Sequence, residues 1–170
     1  MSAFQPTSST PTLHMLCGKI AAGKSTLAAR LAADQGTILL AEDDWLHALF
    51  ADQMSSPQDY VRCAAKLRGI MAAHVASLLQ AGVSVVLDFP ANTVETRAWL
   101  RRLIDQTGAA HQLHVLDVPD DLCLARLRLR NAGGVHPFAA TEAQFHAFSK
   151  HFTYPAEQEG FTLVVHGAAE

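Results

Sequence analysis

Gly18-Lys19-Ile20-Ala21-Ala22-Gly23-Lys24-Ser25 satisfies the pattern G-x-x-x-x-G-K-S/T at every fixed position. The chemistry that this spacing serves is anion binding. Two glycines let the backbone curl so that successive N–H groups, and the positive end of a following helix, converge on phosphate oxygens. The pattern carries this meaning only between a strand and a helix, and both are expected here. Thr12 to Cys17 is a short apolar run, and Lys24 to Gln35 carries Leu27, Leu31 and alanines at helical spacing before Gly36. On this reading Gly18, Ala21, Ala22, Gly23, Lys24, Ser25 and Thr26 form a nucleotide-binding loop. Lys24 is expected to reach the β- and γ-phosphates, Ser25 to ligate magnesium and Thr26 to donate to the α-phosphate. Lys19 has no fixed role in the pattern and is expected to face solvent.

Three carboxylates, Glu42-Asp43-Asp44, follow the next apolar run, Thr37 to Ala41. Side chains at the carboxyl end of such a strand open onto the crevice that holds the phosphates. A carboxylate there can orient an attacking hydroxyl and accept its proton, and Asp43 is the candidate for that role. The alternative is that Asp44 caps a short helix and the others are solvated. Val85-Val86-Leu87 ends in Asp88, which could hold magnesium through water or could simply close a strand. Arg126 and Arg130 lie four apart, with Arg128 between them, just before Gly133-Gly134. They suggest a lid over about 126–140 whose guanidiniums would neutralise a transferred phosphoryl group. Arg62, Lys66 and Arg68, and again Arg97, Arg101 and Arg102, read as ordinary charges on helix surfaces.

The elements needed to position these groups alternate along the chain. After the first strand, first helix and second strand, Asp44 to Ala51 reads as a short helix, and Ser56-Pro57 starts a long one that ends at Gly82. Val83 to Leu87 is a third strand. Asn92 with Glu95 is the expected cap of the next helix, which Gly108 stops. His111 to Leu116 is a fourth strand, Pro119 opens a helix to about Arg130, Thr141 with Gln144 caps another, and Phe161 to Val165 is a fifth strand. Apolar strands alternating with helices imply an α/β fold: a parallel sheet of about five strands with helices on both faces. Residues 12–170 are expected to form one domain behind a loose Ser/Thr/Pro-rich tail at 1–11, which does not resemble a secretory signal.

Composition narrows the function classes. Thirteen Lys plus Arg against sixteen Asp plus Glu give a net charge of −3, which argues against a broad nucleic-acid or membrane footprint. Cys17, Cys63 and Cys123 are distant from one another and fit a reducing, cytoplasmic setting. None of the nine histidines has the spacing of a metal site, and His14, His111, His114 and His166 read as semi-buried strand residues without chemistry. Gly69 to Leu87 runs nineteen residues without a charge, but Ala81-Gly82 divides it into buried helix and buried strand rather than a membrane span. A GTPase would need N-K-x-D for guanine, which is absent, and an AAA-type motor needs more chain than 170 residues provide.

The segments GKIAAGKST, EDDWL, VVLDFPANT and LDVPDDLCLARLRLRN resemble the P-loop kinase group that includes chloramphenicol phosphotransferase, zeta toxins, gluconate kinase and the kinase domain of polynucleotide kinase. The closest look-alikes are bacterial AAA-type ATP-binding kinases of unassigned substrate, and the resemblance runs from Leu13 to Val165. It implies the three-layer P-loop nucleoside triphosphate hydrolase fold, ATP and magnesium as cofactors, and a hydroxyl acceptor. It places the base on Asp43, with Asp44 second, and the lid arginines on Arg126 and Arg130. Polynucleotide kinase has an arginine three residues after its base, where this chain has Leu46, so a small molecule is the expected acceptor rather than a nucleic acid. The acceptor is expected between residues 44–68, the strand-three loop and the lid. The competing class is an ATP-binding regulatory or toxin-like protein without small-molecule turnover.

Overall fold

The computed structural model describes residues 10–133 and 139–167. Most of the expected tail, and residues 134–138 of the expected lid including Gly134, lie outside the described residues. Five parallel strands, β1 (Thr12–Cys17), β2 (Thr37–Ala41), β3 (Ser84–Pro90), β4 (Ala110–Leu116) and β5 (Leu163–His166), form one sheet in the order β2-β3-β1-β4-β5. The connecting helices are α1 (Lys24–Leu31), α2 (Glu42–Phe50), α3 (Pro57–Gln80), α4 (Val94–Thr107), α5 (Asp120–Ala132) and α6 (Glu142–Ser149). The chain leaves β1 toward β2 on one side and later returns past it to β4 on the other. The crevice at the carboxyl ends of β1 and β3 is therefore the topological switch point where such sheets bind ligands.

Alternation along β1 builds two cores. Leu13, Met15 and Cys17 face one side, packed with Leu67, Met71 and Val75 of α3 and Leu100, Leu103 and Ile104 of α4. Leu16 faces the other, with Val86, Leu116, Leu27 and Ala28 of α1, and Cys123 and Leu127 of α5. Helices on both faces explain why the central strands carry apolar residues on both sides.

Several boundaries differ from the sequence reading. Helix α1 stops at Leu31, and the chain reaches Gly36 through turns. Helix α2 begins at Glu42 with no intervening loop, so all three carboxylates occupy its first turn, where the helix dipole favours them. Strand β3 continues through Asp88 to Pro90. The cap of α4 is a reciprocal pair between Thr93 and Thr96, not Asn92 with Glu95, which frees the Asn92 amide for another task. The long helix starts at Ser56-Pro57 and the cap at Thr141 with Gln144 forms, both as expected, and Ser56 closes a reciprocal cap with Asp59. The uncharged stretch from Gly69 is split at Gly82, whose φ of +84° suits glycine, and no helix among the described residues is long and apolar enough to cross a membrane.

Arg97 is not a surface charge: it is fully buried. Its guanidinium donates to both carboxylate oxygens of Glu159 at 2.6 and 3.0 Å, and to the carbonyls of Ala91 and Thr153 at 3.1 and 2.8 Å. One side chain thus ties the end of β3 to the segment leading into β5, and the ion pair is tolerable in the interior because nearly all its donors are satisfied.

Three of the strand histidines also form a unit that spacing did not suggest. His14 Nδ1 lies 3.1 Å from His114 Nε2, and His114 Nδ1 lies 3.0 Å from His166 Nε2, so a hydrogen-bonded row crosses β1, β4 and β5. Burial of His114, assisted by the charges its two neighbours would carry, pushes its pKa down to about 4. The unfolded chain takes up a proton near pH 6.5 that the folded chain refuses until about pH 4, so stability falls as pH drops through that window. His114→Leu should remove on the order of 2 kcal/mol of the stability difference between pH 7 and pH 4.5, measured by urea unfolding. An unaltered pH slope in the variant would show that His114 is not the responsible group.

Candidate functional site

The phosphate loop is shaped by contacts that only glycine permits. A Cβ on Gly18 would lie 3.1 Å from the Leu116 Cβ and 3.3 Å from the Ala22 Cβ. Gly23 sits at φ +106° at the entrance to α1. Ala21 has φ +58°, the one non-glycine residue with a positive φ among the described residues, and such strain is typical of a ligand clamp. The first turn of α1 carries neither an acidic residue nor a side-chain cap, which leaves its amides open to an anion.

Lys24 folds back over this loop, donating from Nζ to the carbonyls of Gly18 and Lys19 at 2.7 and 2.8 Å. Burial of the ammonium lowers its pKa, and the nearby carboxylates of Asp88 and Asp43 oppose that shift. Lys19, expected in solvent, instead pairs with Asp120 at the start of α5 and lies 5.7 Å from the Phe152 ring centroid.

A cleft of about 1010 Å³ opens above the loop. Ala21, Ala22, Gly23, Lys24, Ser25 and Thr26 line it, with Gly18 forming the base of the loop behind them. The acidic run separates on α2. Glu42 is buried, Asp43 is half-buried and lines the cleft, and Asp44 is exposed and is not part of its wall. Asp88 is half-buried on β3, in register with Ala41, and faces the same cleft. Ser25 and Asp88 offer oxygen donors of the kind magnesium takes alongside phosphate oxygens, and both line the cleft. Among the described residues no cluster of three or more His, Cys, Asp or Glu side chains could hold a metal ion.

Arg126 and Arg130 arrive from the other side, on α5. Arg126 donates to the Ala22 carbonyl at 3.2 Å. The Arg130 Nε is buried with no hydrogen-bond partner among the described residues, a costly state for a guanidinium unless a ligand completes it. Its pKa is lowered by burial, with Asp43 pulling the other way, so the base candidate and this arginine face each other electrostatically. Arg128 points away and pairs with Glu142 of α6.

Two parts of the site were missed from sequence. Asn92 grips residue 18 at both ends: its Oδ1 accepts the Gly18 N–H at 2.8 Å, and its Nδ2 donates to the Gly18 carbonyl at 2.9 Å. The only signal was a polar residue closely following the third strand. The second part is a triad around the buried Glu42, which accepts from the Tyr60 hydroxyl at 2.8 Å and from Arg68 Nε at 3.4 Å. Burial pushes the Glu42 pKa up, and the two donors counter it. Tyr60 and Arg68 line the cleft beside Asp43.

Asn92→Leu should weaken magnesium-AMPPNP binding by about tenfold, or roughly 1.4 kcal/mol, because the loop loses both of its fixing hydrogen bonds. Calorimetric titration of the folded variant is the measurement, and wild-type affinity would mean that the clamp is dispensable.

Residues 13–155 match the family described as AAA domain. A search of curated proteins finds no match. Among solved structures, a candidate kinase from Chloroflexus aurantiacus J-10-fl superposes with a TM-score of 0.75 at 21% identity, over 95% of this chain and 87% of that one. A sugar kinase from Janibacter sp. HTCC2649 gives 0.63 at 15% identity, over 95% and 87%. The Mycobacterium tuberculosis APS kinase, in complex with AMPPNP and APS, gives 0.62 at 20% identity, over 95% and 90%. At these identities the likeness establishes the shared α/β fold, as expected from the strand and helix pattern.

Proposed function

The chain belongs to the AAA domain family, and from that premise we propose that it is an ATP-dependent kinase transferring the γ-phosphoryl group to a hydroxyl of a small molecule. The observation that carries the reading is the convergence on one cleft of Lys24, the Asp43 and Asp88 carboxylates, and an arginine whose buried Nε lacks a partner among the described residues. A binding module needs the loop alone, whereas a carboxylate and guanidiniums lining the same cleft as the loop suit transfer. The fold shared with a structure holding AMPPNP supports ATP as donor.

In this mechanism the loop amides and Lys24 hold the β- and γ-phosphates, Lys24 exchanging the Gly18 and Lys19 carbonyls for phosphate oxygens. Ser25 and Asp88 would hold magnesium, which when bound neutralises charge on those oxygens. Asp43 orients the acceptor hydroxyl in line and takes its proton as the new oxygen–phosphorus bond forms. The bond to the ADP oxygen breaks, and ADP leaves with that electron pair. Arg130 and Arg126 stabilise the equatorial oxygens, and the bare Nε of Arg130 gains its acceptor there. The net charge of −3 and Leu46 on α2 favour a small acceptor over a nucleic acid.

Asp43→Asn should lower phosphotransfer by 10²- to 10⁴-fold while ATP affinity stays within a few-fold, and Asp44→Asn should change little. Lys24→Ala should instead impair nucleotide binding itself. The assay is acceptor-dependent ADP release over a panel of sugars, nucleosides, aminoglycosides and phenicols, with products identified by phosphorus NMR. Transfer at the wild-type rate in Asp43→Asn would refute the base assignment. ADP release that no acceptor stimulates would assign the protein to the nucleotide-binding regulatory class.

A further inference from the structure

The cleft extends past the phosphate loop to a wall contributed by α3, where Tyr60 and Arg68 stand near Asp43. Arg68 is held there by one atom. Each oxygen of the buried Glu42 takes a single donor, the Tyr60 hydroxyl on Oε2 and Arg68 Nε on Oε1. The two terminal amino groups of Arg68 have no hydrogen-bond partner among the described residues, and its side chain keeps 28% exposure on the cleft wall. A guanidinium engaged at Nε, here at 3.4 Å, leaves those amino groups as a planar pair of donors, the geometry that carboxylate and phosphate oxygens match.

Charge on this wall points the same way. Asp43 and Asp88 already face the cleft, so an anionic group is repelled unless a fixed cation offsets them. Of the Lys and Arg side chains that line the cleft, Lys24, Arg30, Arg126 and Arg130 come from α1 and α5, and Arg68 is the one contributed by α3. The anchor on Glu42 also restricts the arginine before any ligand arrives, which lowers the entropy lost on binding.

We propose that Arg68 is a specificity residue that binds an oxyanion on the acceptor, so that the substrate is a small hydroxyl compound carrying a carboxylate or phosphate group. The proposal rests on the kinase reading for the identity of the ligand as acceptor. The oxyanion contact itself can be measured without turnover.

Matched compounds make the test. Glucuronate and glucose 6-phosphate are compared with glucose, and glycerate and glycerol 3-phosphate with glycerol, by calorimetric titration into enzyme saturated with magnesium-AMPPNP. Phosphotransfer from ATP is followed with the same set. At least one anionic member should bind ten or more times tighter than its neutral parent, and the carboxylate and phosphate arms identify which oxyanion is preferred. Arg68→Gln should abolish that preference, raising KM for the anionic member at least tenfold with a smaller effect on kcat. Arg68→Lys, which keeps the charge but loses the fork, should recover part of it. No anionic preference in the wild type, or a preference that survives Arg68→Gln in a folded variant, overturns the proposal. Arg68-dependent oxyanion binding without phosphotransfer would sustain the site and count against the kinase reading. Transfer to neutral parents alone would do the reverse.

Discussion

The site depends first on how closely the backbone at Gly18 is held. Its carbonyl accepts hydrogen bonds from both the Lys24 ammonium and the Asn92 amide, and its N–H donates back to Asn92. A side chain here would meet Leu116 at the end of β4. One residue without a Cβ therefore brings together the ends of β1 and β4, the segment after β3 and the loop lysine. The curl of amides into which an anion fits is fixed by this packing as much as by the local pattern of glycines. The left-handed backbone at Ala21 is sustained by the same surroundings, since an isolated loop would relax it.

Around that point the charges are arranged in opposition. Lys24 faces Asp88 and Asp43, Arg130 faces Asp43, and Arg68 rests on Glu42. Each cation has a carboxylate near enough to make its burial tolerable, yet among the described residues the Arg130 Nε has no partner and Arg68 is engaged through one nitrogen only. Such partial satisfaction is what a site built around anionic ligands requires: enough compensation to fold, with donors left over for the ligand. Arg97 supplies the contrast. It is equally cationic and wholly buried, but both Glu159 oxygens and two carbonyls engage it, so it serves the scaffold.

The sheet divides these duties by face. The side packed on α3 and α4 is almost entirely apolar and supplies rigidity beneath α2 and α3. The other side, under α1 and α5, carries the histidine row, whose central member stays neutral because burial disfavours its charge. That row runs from His14 to His166, and His166 borders the cleft. The sheet interior and the ligand site are thus joined by polar contacts as well as by packing.

The amino-acid sequence by itself determined the strand, phosphate loop and helix around Gly18 to Ser25, the alternation of five strands with helices, the start of α3 at Ser56-Pro57 and the cap at Thr141. Periodicity and capping are local properties, so neighbouring residues suffice to reveal them. It also indicated Asp43 and Asp88, because chemistry in such sheets gathers at strand ends, and Arg126 and Arg130, because a spacing of four puts both on one helical face. Only the tertiary structure decided that Asp43 and not Asp44 lines the cleft, since that depends on α2 starting directly at Glu42. Only it joined Asn92 to Gly18, 74 residues away, Arg68 to Glu42, and His14 through His114 to His166. Those contacts follow from strand order and from which face each side chain takes. Spacing along the chain carries neither, because distant residues meet only once the sheet is assembled.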